Sequence, residues 1–444
     1  MEKEHRGISL GTILMLSITG VVLLGCAMIL PGLMGQPNGQ FNVQQVLKIF
    51  ETTSLPSLQL SDIPIGSTVT QVPPSSPEEE PLPVLQTATP APTATPTPTP
   101  KVGGTFTLTI GGTVNMDDAV RKAGYYSDSQ KYDFTNMLAQ LSDVMTGDMT
   151  MVMTENLIVP DSKVSSLIAP DAFAEAIRSW GIQMVTTGFS KAYDKGADGL
   201  RTTLDAFTSR NRYTLGAYNT AEEAATPLIL TLQDVPVAFL HYTGTLSTTS
   251  KKGVAKAAYA IPLAEADTIA ADIAKARSMG AAVVIVTLDW GATGASKPTT
   301  AQKKLAQSIA DAGADVIVGA GTRVAQPITW LTRKNADGTV GQTLCAWSLG
   351  SLLNESRKDG NVAAMLLHLQ IGWDGNNISF YQVSYTPTYI WRQKLDGQYQ
   401  YRVVASNQDA PAGMSDDQAG YMRKARQRIE TLLADSPVIE RTAP

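Results

Sequence analysis

The stretch Asp311–Ile328, DAGADVIVGAGTRVAQPI, constrains this chain more than any other. Asp311-Ala312-Gly313 reads as a helix end closed by Gly, Ala314–Val318 as a short apolar β-branched strand, and Gly319–Arg323 as an open loop. Helix, glycine turn, buried strand and loop form the half-unit of an α/β sheet. Ligands of such sheets sit beyond the carboxyl ends of the strands, so Gly319–Arg323 is where chemistry is expected. The loop offers small residues and one arginine.

The same unit recurs. Strands are predicted at Thr105–Ile110, broken by Gly111-Gly112, and at Met149–Met153, Ile182–Thr186, Val235–Leu240 and Ala281–Leu288. Helices are predicted at Tyr132–Asp148 (Phe134, Leu138, Leu141 and Val144 on one face), Pro170–Trp180, Gly199–Phe207, Leu263–Met279 and Thr300–Ala312. Further strands are expected at Gln342–Trp347, Ala364–Gly372 and Ile378–Tyr385, and a charged-faced helix at Asp416–Ala434. The alternation predicts an α/β fold with a mostly parallel sheet and antiparallel later strands.

The N-terminal quarter is different. Met1–Gly7 carries Lys3 and Arg6, and Ile8–Leu30 runs without a charge. About 23 apolar residues at about 1.5 Å each cross a hydrocarbon core of roughly 30 Å. A signal-peptide core is about 7–15 residues, and a small-x-small cleavage site is not evident here. Leu23-Leu24-Gly25-Cys26 loosely resembles a lipobox, but the apolar run continues past Cys26. Residues 8–30 are therefore expected to be an uncleaved anchor, with residues 1–7 cytoplasmic and the rest outside the membrane by the positive-inside rule. Residues 31–103 form a stalk whose end, TATPAPTATPTPTPK, buries no core and favours extended polyproline II. A globular domain is expected over 104–405 and a helical tail over 406–444.

A net charge of −5 points away from nucleic acid. Two cysteines, Cys26 and Cys345, make neither a disulfide framework nor a cysteine metal cluster. Three histidines in 444 residues are few for a metalloenzyme of this size.

From Thr105 to Tyr385 the chain resembles the CapA family of capsule and poly-γ-glutamate synthesis proteins, relatives of the calcineurin-like metallophosphoesterases. The resemblance is carried, in order, by Tyr132-Asp133-Phe134, by Asp194-x-Gly196 with Gly199-Leu200, and by Asp272-Ile273 followed by VIVTLDWG. It continues through Ala306–Gln326 to Trp347-Ser348-Leu349-Gly350. It implies a four-layer α/β sandwich and association with cell-envelope polymer. At the family's metal positions the chain departs from the pattern. Gly111-Gly112 stands for a Gly-Asp pair, and Met153 for an Asn, although Glu155 is kept. Phe189-Ser190-Lys191 stands for Asn-Asn-His, Asp289 for a His, Ala320-Gly321-Thr322-Arg323 for a His-His-Pro-His run, and Ser351 for an Asn. Two-metal phosphoesterases hold paired cations about 3.5–4 Å apart with carboxylate and imidazole ligands. Met, Phe, Ala and Gly supply no such lone pair, and Lys191 and Arg323 repel a divalent ion. The expectation is a centre without metal or cofactor, in which Glu155, Asp194 and Asp289 pair with Lys191 and Arg323.

Two uses of these residues remain open at this level. Lys191 and Arg323, with Asp194, Trp290 and Ser351, are candidates for binding an anionic polymer. Glu155, Asp289 and Arg323 are candidates for metal-independent hydrolysis or amide processing. Trp290 is a candidate sugar platform or core residue, and His241 reads as a packed histidine. The expected protein is an externally displayed, membrane-anchored CapA-like binder or scaffold for envelope polymer or capsule-synthesis proteins.

Overall fold

A computed structural model of the chain describes residues 103–441, except 160–163, 336–337, 359 and 396. The expected cytoplasmic tail, anchor and nearly all of the stalk lie outside the described residues. Among the described residues no helix is long and apolar enough to cross a membrane.

The first third of the fold runs β1 (Gly104–Val114), β2 (Met149–Thr154), helix α1 (Ala172–Ser179), β3 (Met184–Thr186), helix α2 (Gly196–Thr208) and β4 (Tyr213–Leu215). The middle third runs β5 (Leu228–Leu232), β6 (Val235–Thr243), α3 (Ala266–Ser278), β7 (Val283–Asp289), α4 (Thr300–Asp311), β8 (Val316–Ala320), β9 (Ile328–Lys334) and β10 (Val340–Ala346). It closes with β11 (Ser351–Leu353), β12 (Ala363–Trp373), β13 (Ile378–Leu395), β14 (Gln398–Ala405), α5 (Asp416–Leu433) and β15 (Ile439–Glu440).

These strands form two mixed sheets. The first has the order β14-β13-β12-β1-β2-β3-β4, with β11 paired to β1 and β15 to β13. Its β1–β4 run parallel and its β12–β14 antiparallel. The second has the order β9-β10-β8-β7-β6-β5, parallel in its centre with an antiparallel strand at each edge.

Side-chain alternation divides the second sheet into two faces. Val283 and Ile285 of β7, Val316 and Val318 of β8, and Val237 and Phe239 of β6 share one core with Ile110, Met151 and Val185 of the first sheet. Val284, Val286 and Ile317 point the other way and pack with Ile269 and Ile273 of α3 and Ile309 and Ala310 of α4. A continuous β-branched run such as VVIVTL is what a strand covered on both faces requires.

Three expectations change. The apolar residues of Tyr132–Asp148 are buried as predicted, but the chain there makes two 3-10 turns, Thr135–Met137 and Ala139–Leu141, instead of a helix. Asp133 Oδ1 accepts from the Thr135 N–H at 2.8 Å and its hydroxyl at 2.7 Å, and so competes with helical bonding. Gly111-Gly112 does not end β1. The strand continues through a register irregularity between Ile110 and Thr113, and a Cβ on Gly112 would meet the Gly350 carbonyl at 2.2 Å. Finally, α5 is no separate tail. Met422, Ile429 and Leu433 sit in the shared core, and β15 pairs with Ser384-Tyr385.

Candidate functional site

The carboxyl ends of β1, β2, β3, β6, β7 and β8 lead into one cleft of about 890 Å³. Asp117 reaches it from just past β1, Glu155 from the end of β2, and Ser190 and Lys191 from the loop after β3. Gly244 follows β6, Asp289-Trp290-Gly291 ends β7, Gly321 and Arg323 follow β8, and Gln302 comes from the first turn of α4.

Arg323 organises the cleft. Its Nη2 donates to Glu155 Oε2 at 2.6 Å and its Nε to the same oxygen at 3.1 Å. Its Nη1 lies 3.4 Å from Asp117 Oδ1. Arg323 also has a left-handed backbone, φ 59°, which bulky residues rarely adopt without compensation. The Asn361 side chain donates to its carbonyl at 3.1 Å, so both ends of the residue are held.

Asp289 enters no ion pair among the described residues. Its Oδ2 accepts from the Ser190 N–H at 3.2 Å. Burial, then the charge of Glu155, push its carboxyl up to about 7, against the pull of the Ser190 N–H and Arg323. Glu155 is also raised, mainly by burial, with Arg323 acting in the opposite direction.

Glycines set how closely the strand ends approach. Gly321 has φ 89°, and a Cβ there would lie 2.6 Å from Asp289 Oδ1 and 2.9 Å from the Trp290 carbonyl. Gly321→Ala is expected to lower stability by about 1–2 kcal/mol through left-handed strain and this clash, read as a shifted midpoint in urea unfolding. An unchanged midpoint would mean that the loop tolerates the extra carbon.

The other sequence candidates separate by place. Lys191 is exposed at the rim and forms no ion pair among the described residues, so the expected pairing with a strand-end carboxylate is not found. Asp194 does not line the cleft. It accepts from Ser247 Oγ and, at 2.7 Å, from Ser250 Oγ, and thereby ties down the start of the helix Thr248–Gly253. Trp290 lines the cleft, yet its ring is buried and stacked on Trp347 at 5.7 Å between centroids. Ser351 is buried in β11 opposite Thr113 and outside the cleft wall. His241 is a packed residue between Thr287 Oγ1 and the Gly188 carbonyl, each at 2.8 Å, and burial lowers its pKa to about 4.

Sequence reasoning missed Asp117 and Gln302. The acidic pair Asp117-Asp118 closely following a strand was the available signal for the first. For Gln302 it was the Thr299-x-x-Gln302 capping box that starts α4.

A pair of divalent cations does not fit this donor set. Among the described residues no three His, Cys, Asp or Glu side chains converge closely enough to hold an ion. The guanidinium of Arg323 already holds Glu155 Oε2 and brings a fixed positive charge to the place where the first cation would sit.

The sequence is 27% identical over 161 residues to the capsule biosynthesis protein CapA of Bacillus anthracis, covering 34% of this chain and 38% of that protein. It is 27% identical over 157 residues to the PGA biosynthesis protein CapA of Bacillus subtilis (strain 168), covering 35% and 40%. The matches thus span about two-fifths of the length of these curated relatives. Among solved structures it is similar to the NAD nucleotidase of Haemophilus influenzae, with TM-score 0.40 and 10% identity over 77% of this chain and 58% of that one. It is also similar to the calcineurin-like phosphoesterase YfkN of Bacillus subtilis, with TM-score 0.38 and 13% identity over 74% and 99%. The model of the bacterial capsule synthesis protein family PGA_cap matches residues 107–356, more than half of the chain, and the protein belongs to this family, the CapA family of capsule and poly-γ-glutamate biosynthesis.

Proposed function

We propose that the protein is a membrane-anchored, extracytoplasmic member of the family that binds capsule or poly-γ-glutamate polymer, or the proteins that make and export it, without hydrolysing it. The observation that carries this reading is the Arg323–Glu155 pair at the strand ends, 2.6 Å long, where a two-metal hydrolase needs free ligands. The finer architecture in this reading is the four-layer sandwich of the metallophosphoesterases, kept as a scaffold. The stalk is the spacer. Lys191, exposed at the rim, supplies a mobile positive charge for polymer carboxylates.

Two measurements on the purified full-length protein test this. Elemental analysis is expected to find less than one Mn, Fe or Zn per chain. Fluorescent poly-γ-glutamate is expected to bind saturably and to keep its length, with binding weakened several-fold in Lys191→Glu. Two tightly held ions per chain, or shortening of the polymer, would overturn the reading.

One observation favours a second reading, a metal-independent hydrolase or amide-processing enzyme acting on envelope polymer. Asp289 titrates near 7 inside the cleft, where a general base is most effective. In that case Glu155 and Arg323 act beside it, and Asp289→Ala abolishes a polymer-cleaving activity that the wild-type protein displays.

A further inference from the structure

Positive charge collects at a second place, on helix α5, which lies beyond the residues that the family model matches. The helix buries Met422, Ala425, Ile429 and Leu433 in the core, which turns its other side to solvent. That outer face presents Arg423, Lys424, Gln427 and Arg428, all exposed. Lys424 and Arg428, one turn apart, line a groove of about 440 Å³ that Ser296 and Ala325 line from their own loops. Exposed Lys297 directly follows Ser296. Arg428 Nη2 lies 3.2 Å from where a Cβ on Gly360 would stand, and exposed Lys358 is two residues before that glycine.

Neighbouring acids do not offset these charges. Glu430 and Glu440 are both taken by Arg426, at 2.8 and 3.1 Å. Arg423, Lys424, Arg428, Lys297 and Lys358 form no ion pair among the described residues, and Lys424 rests over the Tyr421 ring, 5.6 Å from its centroid. In a chain of net charge −5 this is a local reversal of sign. Like charges within a Debye length of roughly 8–10 Å repel one another and draw in a compensating anion.

An acidic lipid surface matches the face poorly. Helices that lie on membranes do so on an exposed apolar side, whereas that of α5 is buried and Tyr421 is the one large apolar side chain it exposes. A flexible chain of closely spaced anions matches it well, because guanidinium groups grip carboxylate or phosphate oxygens two at a time without an apolar floor. Such a chain can also reach the cleft. Arg323 lines the cleft and Ala325 the groove, and the Asn361 side chain donates to the Arg323 carbonyl at 3.1 Å, which ties the Gly360 turn to that strip.

We infer that the outer face of α5 is a binding track for a polymer of closely spaced anions, carboxylate or phosphate, lying in the groove over Lys424 and Arg428. It adds a contact to the binding role proposed above, at residues which that role does not use.

The test is titration of the full-length protein, held in phosphatidylcholine nanodiscs, with fluorescent poly-γ-glutamate and separately with polyphosphate. Combining Arg423→Gln, Lys424→Gln and Arg428→Gln is expected to weaken at least one of them by about 10-fold or more at about 0.1 M salt and to flatten the salt dependence of binding. Weakening of polyglutamate alone identifies carboxylate as the ligand group, of polyphosphate alone phosphate, and either supports the inference. Combining Lys251→Gln, Lys252→Gln and Lys256→Gln removes the same charge from exposed positions that line neither groove nor cleft, and is expected to leave binding unchanged. Unchanged binding in the α5 variant, or equal weakening in both variants, overturns the inference. If the α5 variant keeps polymer binding but loses cosedimentation with phosphatidylglycerol vesicles that the unaltered protein shows, the face belongs to lipid and the inference falls. Lys191→Glu separates the two sites. Weakening by that change alone supports the cleft reading and overturns this one, and weakening by the α5 variant alone does the reverse.

Discussion

Replacing Arg323 with Met is expected to cost about 2–4 kcal/mol of stability at neutral pH, the largest loss from any single change at the cleft. The side chain is 27% exposed, and its partners Glu155 and Asp117 are 17% and 12% exposed, so water screens the group only in part. Met keeps a Cβ, so the left-handed backbone strain at this position is the same before and after. What changes is that two carboxylates lose their cation in a cleft already crowded with negative charge. Arg323 lowers the pKa of both Glu155 and Asp289, so its removal raises both and leaves less charge as pH falls. The loss is therefore expected to shrink between pH 7 and pH 4, and Glu155→Gln added to Arg323→Met is expected to restore much of it. Urea unfolding of the single and double variants at both pH values measures this. A loss that is the same at pH 4 and pH 7 would show that Arg323 acts through packing and not through charge.

The sequence made this site legible to an unequal degree, for physical reasons. The strand β7 declares itself because only a strand covered on both faces tolerates an unbroken run such as Val283–Leu288. Glu155 and Arg323 were legible only as members of a set of three carboxylates and two cations, because charged side chains after parallel strands that end together are brought close without the sequence saying which of them meet. The partner of Asp289 was not legible, because a backbone N–H serves a carboxylate as well as a side chain does and has no letter in the sequence. Asp117 escaped because it lies beyond a strand that was expected to stop at Gly111. Those glycines admit a close approach of the Gly350 carbonyl without ending the strand. The edge strands β5, β9 and β14 carry no buried run of the same kind, and are half-exposed over much of their length. The docking of α5 could not be read from its own residues. Amphipathicity says that a helix has a partner, not which one.

Asp289→Asn is expected to stabilise the protein at pH 8 by about 2–3 kcal/mol and to leave it nearly unchanged at pH 4. The sign follows from linkage. In the unfolded chain the carboxyl titrates near the ordinary value of about 3.9. In the folded protein burial and the charge of Glu155 raise it to about 7. Between these values the folded state holds a proton that the unfolded state has released, so stability falls as pH rises through this window. Above 7 the full cost of a charged, desolvated Asp289 is present; below 4 both states are protonated and it vanishes. The interval between about 3.9 and about 7 corresponds to about 4 kcal/mol at most, and a residue that lines an open cleft realises part of that. Asn keeps an oxygen to accept from Ser190 and never carries the charge, so it removes the cost without removing the bond. Melting temperatures of both proteins from pH 4 to pH 9 are expected to converge at the acid end and separate above pH 6. Parallel curves would place the Asp289 carboxyl at an ordinary pKa and make its isolation in the cleft electrostatically silent. Separating curves would mean that the protein keeps at this position a charge that costs it stability, which is the behaviour of a residue retained for what it binds.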